Sequence, residues 1–286
     1  MKYWLIVPWT PVEEMIQIAK HADDLGFYGL MGADHGFVPK SMVSKYPYTK
    51  DGAPPIDGSM PYPDVWTSIA AMSAVTSNIK FSTAVYVLPL RNPIEVAKAT
   101  GTVANISGNR LILGAGVGWM PEEFATYGVD FKTRGKRMNE CIDVLNLIWD
   151  GGYVEYHGEF FNFDPLQIAP APSQRVPIII GGASKPALWR AGRVAQGWMG
   201  NGNNPEEMPT IFKHLKDSRE SYGRSDEEFD IILAMNDFPS AEQMYEYVEQ
   251  GATGTFLGFP DHIVPVSQKL HMLDGMAKAF LQNVAG

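Results

Sequence analysis

Residues 80–123, KFSTAVYVLPLRNPIEVAKATGTVANISGNRLILGAGVGWMPEE, decide how this chain is read. They open on an apolar, β-branched run over 81–87, which reads as a buried strand. Leu88-Pro89-Leu90-Arg91-Asn92-Pro93 breaks that run, and Pro93 stands where a first-turn helix proline belongs. Ile94, Val96, Ala97, Val103 and Ile106 then recur at helical spacing until Ser107-Gly108-Asn109 ends the helix. A second strand over 110–113 runs straight into Gly114-Ala115-Gly116-Val117-Gly118. The order is strand, helix, strand, then a glycine loop at the carboxyl edge, where parallel α/β folds hold ligands. The run does not match the spaced dinucleotide fingerprint, since no third glycine follows at the required offset and no helix begins at once. Alone, it suits a tight turn as well as a ligand loop.

The same alternation extends in both directions. Apolar runs predict strands over 3–7, 28–33, 80–87, 110–113, 176–180, 197–199, 229–234 and 254–258. Helical periods fall over 12–25, 64–76, 93–106, 132–149, 186–194, 205–222 and 241–250, with a final helix after the last strand running to about 284 and a short helical piece at 120–127. Eight strands alternating with eight helices predict a parallel sheet closed into a (β/α)8 TIM barrel, one domain over 1–286. A doubly wound open sheet with a second domain is the rival, and no linker-like shift in composition supports it. Residues 36–63, with six prolines, form a long loop after strand 2 and read as a lid or binding loop. Residues 153–163 alternate and read as a small hairpin inserted after the fourth barrel helix.

Composition narrows the partners. The 286 residues carry a net charge of −9 and their basic residues are scattered singly, which disfavours nucleic acid and anionic membranes. A phosphate pocket built from backbone amides is still open to such a chain. The single cysteine, Cys141, lies on an apolar helix face and reads as a buried, inert thiol. The opening MKYWLIVPWT is too short an apolar run for a signal peptide, and nothing approaches a membrane span. A soluble cytoplasmic protein is expected.

The loops at the carboxyl ends of the strands cover 8–11, 34–63, 88–93, 114–123, 181–186, 200–205, 235–240 and 259–262. Metal-dependent hydrolysis wants histidines at the end of strand one, but Val7-Pro8-Trp9 offers no ligand. Of the six histidines only His35 and His262 fall on these loops, so no metal site is expected. Strand interiors hold no lysine for covalent chemistry, and no serine–histidine–acid arrangement is visible. What the loops do hold is aromatic residues, the acid–histidine pair Asp34-His35 and two glycine loops. That set suits a large planar cofactor with a phosphate tail. Gly181-Gly182-Ala183-Ser184, leading into a helix amino end, would hold the phosphate.

These pieces together resemble the bacterial-luciferase-like superfamily of flavin and deazaflavin oxidoreductases, especially its coenzyme F420-dependent branch. The resemblance rests on Asp34-His35, Tyr46-Pro47-Tyr48, Val87-Leu88-Pro89-Leu90-Arg91-Asn92-Pro93, the Gly114–Trp119 stretch with Glu122-Glu123-Phe124, Arg134-Gly135-Lys136-Arg137, His157-Gly158-Glu159-Phe160-Phe161 and Gly181-Gly182-Ala183-Ser184. It implies a cis peptide at Ala84–Val85 beneath the cofactor ring, with Val117, Gly118 and Trp119 along the ring. Gly181, Gly182, Ala183 and Ser184 would take the phosphate, and Asp34 the polar end of the ring. His35 would face the substrate, where an imidazole that titrates near neutrality can carry the proton accompanying hydride transfer. Some deazaflavin relatives carry a glutamate where Trp119 stands. Trp9, Tyr46, Tyr48 and Trp66 are candidates for the substrate wall, although aromatic residues pack cores equally well. Glu122 and Glu123 read as helix-start carboxylates, and Arg134 and Arg137 as salt-bridge partners. The resemblance implies a homodimeric oxidoreductase that moves a hydride between coenzyme F420 and a small organic substrate. An FMN-dependent monooxygenase and a non-catalytic flavin-binding protein are the alternatives.

Overall fold

The protein is described from a computed structural model, for residues 1–49, 51–237, 239–259 and 263–282. Its strands are β1 (Lys2–Ile6), β2 (Gly29–Gly32), β3 (Lys80–Thr83), β4 (Tyr86–Val87) and β5 (Leu113–Gly116). An antiparallel hairpin, β6 (Val154–His157) and β7 (Asn162–Leu166), stands apart from the main sheet, as the alternation of 153–163 predicted. Then follow β8 (Ile178–Gly181), β9 (Gly197–Met199), β10 (Asp230–Leu233) and β11 (Gly254–Gly258). The parallel sheet runs β3-β2-β1-β11-β10-β9-β8-β5-β4. Its two ends, β3 and β4, are halves of one stave parted at Ala84–Val85, whose peptide is cis. Tyr86 pairs with Ala115, and the Phe81 N–H donates to the Arg110 carbonyl at 2.8 Å. Those contacts close the ring as the expected TIM-type barrel.

Helices α1 (Val12–Leu25), α2 (Val65–Ser73), α3 (Pro93–Ile106), α5 (Arg134–Trp149), α6 (Lys185–Val194), α7 (Met208–Ser221), α8 (Ala241–Glu249) and α9 (Val266–Ala277) flank it, and the short α4 (Pro121–Thr126) is inserted after β5. Local chemistry sets their ends. Asp64 accepts from the Thr67 N–H at 2.8 Å to start α2, and Asn92 caps α3 one residue before Pro93. Gly26, at φ 86°, ends α1. Apolar side chains fill the layer between helices and staves. A second cluster, Trp4, Met31, Ile112, Ile179, Met199 and Ile232, fills the barrel interior. Each such buried side chain contributes about 1.5–3 kcal/mol. The last helix passes into a wider helical turn over Lys278–Gln282. Residues 283–286 and 260–262, with His262, lie outside the described residues.

The glycine run differs from its reading as a loop. Leu113–Gly116 is a strand, and its glycines make room for the neighbouring stave. A Cβ on Gly114 would stand 1.8 Å from the Thr83 carbonyl oxygen, and one on Gly116 would stand 2.3 Å from Val85 Cγ2. On β8, the stave beyond β5, a Cβ on Gly181 would come within 2.5 Å of Val85 Cγ1. Only Gly118, at φ 80°, serves as a turn glycine.

The long segment between β2 and α2 is tied down from α4. Glu122 accepts from the Val43 and Ser44 N–H groups at 2.8 and 3.0 Å, and from Ser44 Oγ at 2.7 Å. Burial alone would raise the Glu122 carboxyl, but the Ser44 hydroxyl and these two amides hold it down to about 2.

Two outcomes follow. Gly114→Ala drives a methyl into backbone that cannot yield, so the denaturant midpoint falls by the equivalent of about 1–3 kcal/mol; an unchanged midpoint would show the strands have slack there. Because the Glu122 carboxyl is depressed in the folded protein, its hold on the loop is complete above the ordinary carboxylate range and fades as pH falls towards about 2. Amide-exchange protection at Val43 and Ser44 therefore drops across that window in the native protein, whereas Glu122→Ala, which has no acceptor, shows low protection throughout.

Candidate active site

The carboxyl ends of the staves open into one cavity of about 930 Å³, at the large end of the range for small-molecule sites. Ala84 and Val85 form part of its floor, with residues 117–119 on one side and 181–184 on another. Asp34, His35, Trp9, Tyr46 and Tyr48 also line it. Trp66 does not. It sits in the first turn of α2, 7% exposed, with its ring 4.8 Å from that of Tyr86, so it packs the layer between helix and barrel.

Asp34 is buried at the end of β2. Its Oδ2 accepts from the Val87 N–H at 3.0 Å and its Oδ1 from Arg91 Nη2 at 3.0 Å. Burial pushes its carboxyl up, against the pull of Arg91 and the Val87 amide. Both oxygens thus brace the stave just beyond Val85.

His35 points the other way. Its Nδ1 lies 3.1 Å from Oε2 of Glu123, whose Oε1 accepts from the Gly36 N–H at 2.6 Å. Trp119 and Tyr62 meet the imidazole edge-on at 5.8 and 5.6 Å. Tyr46 in turn lies edge-on to Trp119 at 5.0 Å and to Tyr48 at 5.2 Å. Burial pushes the Tyr46 phenol up to about 12, with Tyr48 adding to it, and lifts the Tyr62 phenol further. Both phenols are protonated at neutral pH and so have an O–H to offer.

Across the cavity, Gly182 adopts φ 106°, and Ala183 and Ser184 lead into α6, whose first turn has no side-chain cap. Open amides at a helix amino end form an anion cradle. The floor around Val85 is bare of side chains at Gly116 and Gly181, a surface suited to a planar ring. A planar cofactor with a phosphate tail fits these residues. Among the described residues no three His, Cys, Asp or Glu side chains cluster as metal ligands would.

Several residues differ from their sequence reading. Glu122 and Glu123 do begin α4, yet their carboxylates turn to the long loop and to His35. Arg134 makes no ion pair among the described residues; its guanidinium lies 3.8 Å from the Phe131 ring centroid and donates to the Phe131 carbonyl. Arg137 donates to the Pro89 carbonyl and stacks on Phe161. Cys141 is buried as expected, which pushes its thiol up to about 12. Sequence reasoning missed Tyr62 and the asparagine wall after β9, where Asn203 accepts from the Asn201 N–H and Asn236 donates to Asn204. The stretch Gly200-Asn201-Gly202-Asn203-Asn204 reads as a loop and carries no hint of its partners.

Comparisons with known proteins give the family and the fold. The luciferase-like monooxygenase family matches residues 6–253. A Mycobacterium tuberculosis protein of uncharacterised function is 35% identical over 271 residues, covering 94% of this chain and 93% of that one. An F420-dependent glucose-6-phosphate dehydrogenase of Nakamurella multipartita is 27% identical over 227 residues, 78% of this chain and 62% of that protein. The crystal structure of the monooxygenase RslO1 from Streptomyces bottropensis superposes with a TM-score of 0.77 at 18% identity, covering all of both chains. This chain belongs to the luciferase-like monooxygenase family of enzymes.

Proposed function

We propose that this chain is an oxidoreductase that moves a hydride between coenzyme F420 and a small organic substrate, with His35 handling the accompanying proton. The observation that carries the reading is His35 itself, an imidazole held by a buried carboxylate at the edge of a cavity whose floor is Ala84 and Val85. The F420 dependence of the Nakamurella relative supports the choice of coenzyme. When bound, the deazaflavin supplies the hydride chemistry, and the protein supplies position and dryness.

Each residue then has a task. The amides of Gly182, Ala183 and Ser184, with Gly181 before them, would hold the phosphate. Ala84 and Val85 would support the ring from below, and Val117, Gly118 and Trp119 would border it. Asp34, engaged with Val87 and Arg91, keeps that floor rigid and sets a carboxylate beside the polar end of the ring. Trp9, Tyr46 and Tyr48 would wall the substrate and exclude water. A homodimer in the cytoplasm belongs to the same reading. The family description, luciferase-like monooxygenase, supports a second reading, a monooxygenase, for which FMN would be the coenzyme.

Titrating the purified protein with F420 and, separately, with FMN while following tryptophan fluorescence decides between them. Saturable quenching by F420 is expected; tight FMN binding with no affinity for F420 would overturn the assignment. With a turnover assay in hand, His35→Asn lowers kcat by about 10²–10⁴-fold, the usual contribution of a positioned acid–base group, and leaves F420 affinity within a few-fold. Unimpaired turnover would remove His35 from the mechanism.

A further inference from the structure

Glu123 makes two bonds from the start of α4, and together they constrain His35 more tightly than its place on a loop would. The Glu123 side chain is 1% exposed and that of His35 is 10% exposed. Its Oε1 takes the Gly36 N–H at 2.6 Å and its Oε2 faces His35 Nδ1 at 3.1 Å. We infer that Glu123 is a positioning residue that fixes His35 as the Nδ1–H tautomer, so that the other nitrogen, Nε2, is a proton acceptor. Its catalytic meaning rests on the function proposed above; the tautomer itself does not.

The physical argument is one of donors and acceptors. A backbone N–H can only donate, so Gly36 claims Oε1 as an acceptor. An ionised carboxylate has no proton to offer, so the contact at Oε2 is made by Nδ1–H. A neutral imidazole carries one N–H, and Nε2 therefore keeps its lone pair. A Cβ on Gly36 would stand 2.1 Å from the Tyr127 hydroxyl, so its backbone lies directly against that side chain. The other groups facing the imidazole do not compete for Nδ1. Trp119, from the segment after β5, and Tyr62, from the segment before α2, meet it edge-on. Asp34, the preceding residue, has both oxygens committed to Val87 and Arg91.

An acceptor at Nε2 fits a substrate that gives up a proton together with a hydride, as a hydroxyl-bearing carbon does. The O–H and C–H bonds break and the carbonyl forms. The proton would pass to Nε2, and the oxidised coenzyme, when bound, would supply the acceptor for the hydride and its electron pair, so that the substrate loses two electrons and the coenzyme gains them. The resulting imidazolium is balanced by the Glu123 carboxylate.

Glu123→Gln tests the assignment, because an amide offers one acceptor and one donor. The Gly36 N–H keeps the oxygen, the amide nitrogen donates to Nδ1, and the imidazole proton must move to Nε2. The tautomer is read by long-range ¹H–¹⁵N imidazole spectra of the uniformly labelled full chain without ligand. The pH is raised until the ring signals stop moving, and the His35 signals are assigned by their loss in His35→Asn. The expected result is Nδ1–H in the native protein and Nε2–H in Glu123→Gln. An Nε2–H native protein, or a variant whose tautomer does not change, overturns the proposal. Should the variant fail to fold, the native spectrum alone decides. A native Nδ1–H signal in a protein that does not bind F420 would leave this assignment standing and sink the proposed function instead.

Discussion

Val85 sits where one barrel stave is broken, and its side chain finds room only because the next two staves, β5 and β8, carry no side chains opposite it. Gly116 on β5 and Gly181 on β8 both lie where a Cβ would overlap the Val85 methyls. Gly114 is held closer still, against the Thr83 carbonyl, while Thr83 Oγ1 donates to the Gly114 carbonyl at 2.6 Å. Close packing in protein interiors leaves no slack for an extra methyl at such points. The glycines are thus a steric consequence of the broken stave, and the flat cavity floor is a consequence of the glycines.

This explains how much of the molecule could be read from its sequence. Alternating apolar runs and helical periods are local signals, so the eight staves, the flanking helices and the inserted hairpin were legible. A cap such as Asp64 is a local signal as well, because it and its target Thr67 lie three residues apart. The glycine run was misplaced by a few residues because its cause is not local: nothing in residues 113–118 records that Val85, on the next stave, needs the space. Trp66 was misassigned for a related reason. Its type suits a cavity wall and a core alike, and only the direction of the first turn of α2 puts it against Tyr86.

The same limit applies to charge. Arg134 and Arg137 look like ion-pair residues in a sequence, yet both end on carbonyls and aromatic faces. A planar guanidinium stacks and donates at once, and partly buried positions favour that use over an exposed pair. Asp34 and His35 were singled out as a pair, but the fold separates their duties. The carboxylate turns to Arg91 and the stave, and the imidazole turns to Glu123, 88 residues away in sequence.

Adjacent carboxylates on the six-residue α4 do different work because their burial differs. Glu122, partly exposed, collects three donors from residues 43 and 44 and so fixes the middle of the long loop. Glu123, buried, fixes the entry of the same loop through Gly36 and His35. Two points of attachment to one short helix make that part of the loop and the imidazole a single mechanical unit. Tyr46, two residues beyond Ser44, then falls against Trp119, which itself bears on His35. The position of α4 follows from the end of β5, and β5 is shaped by the space Val85 requires. The wall over the cavity and the group at its edge are therefore set by the same constraint that flattens its floor.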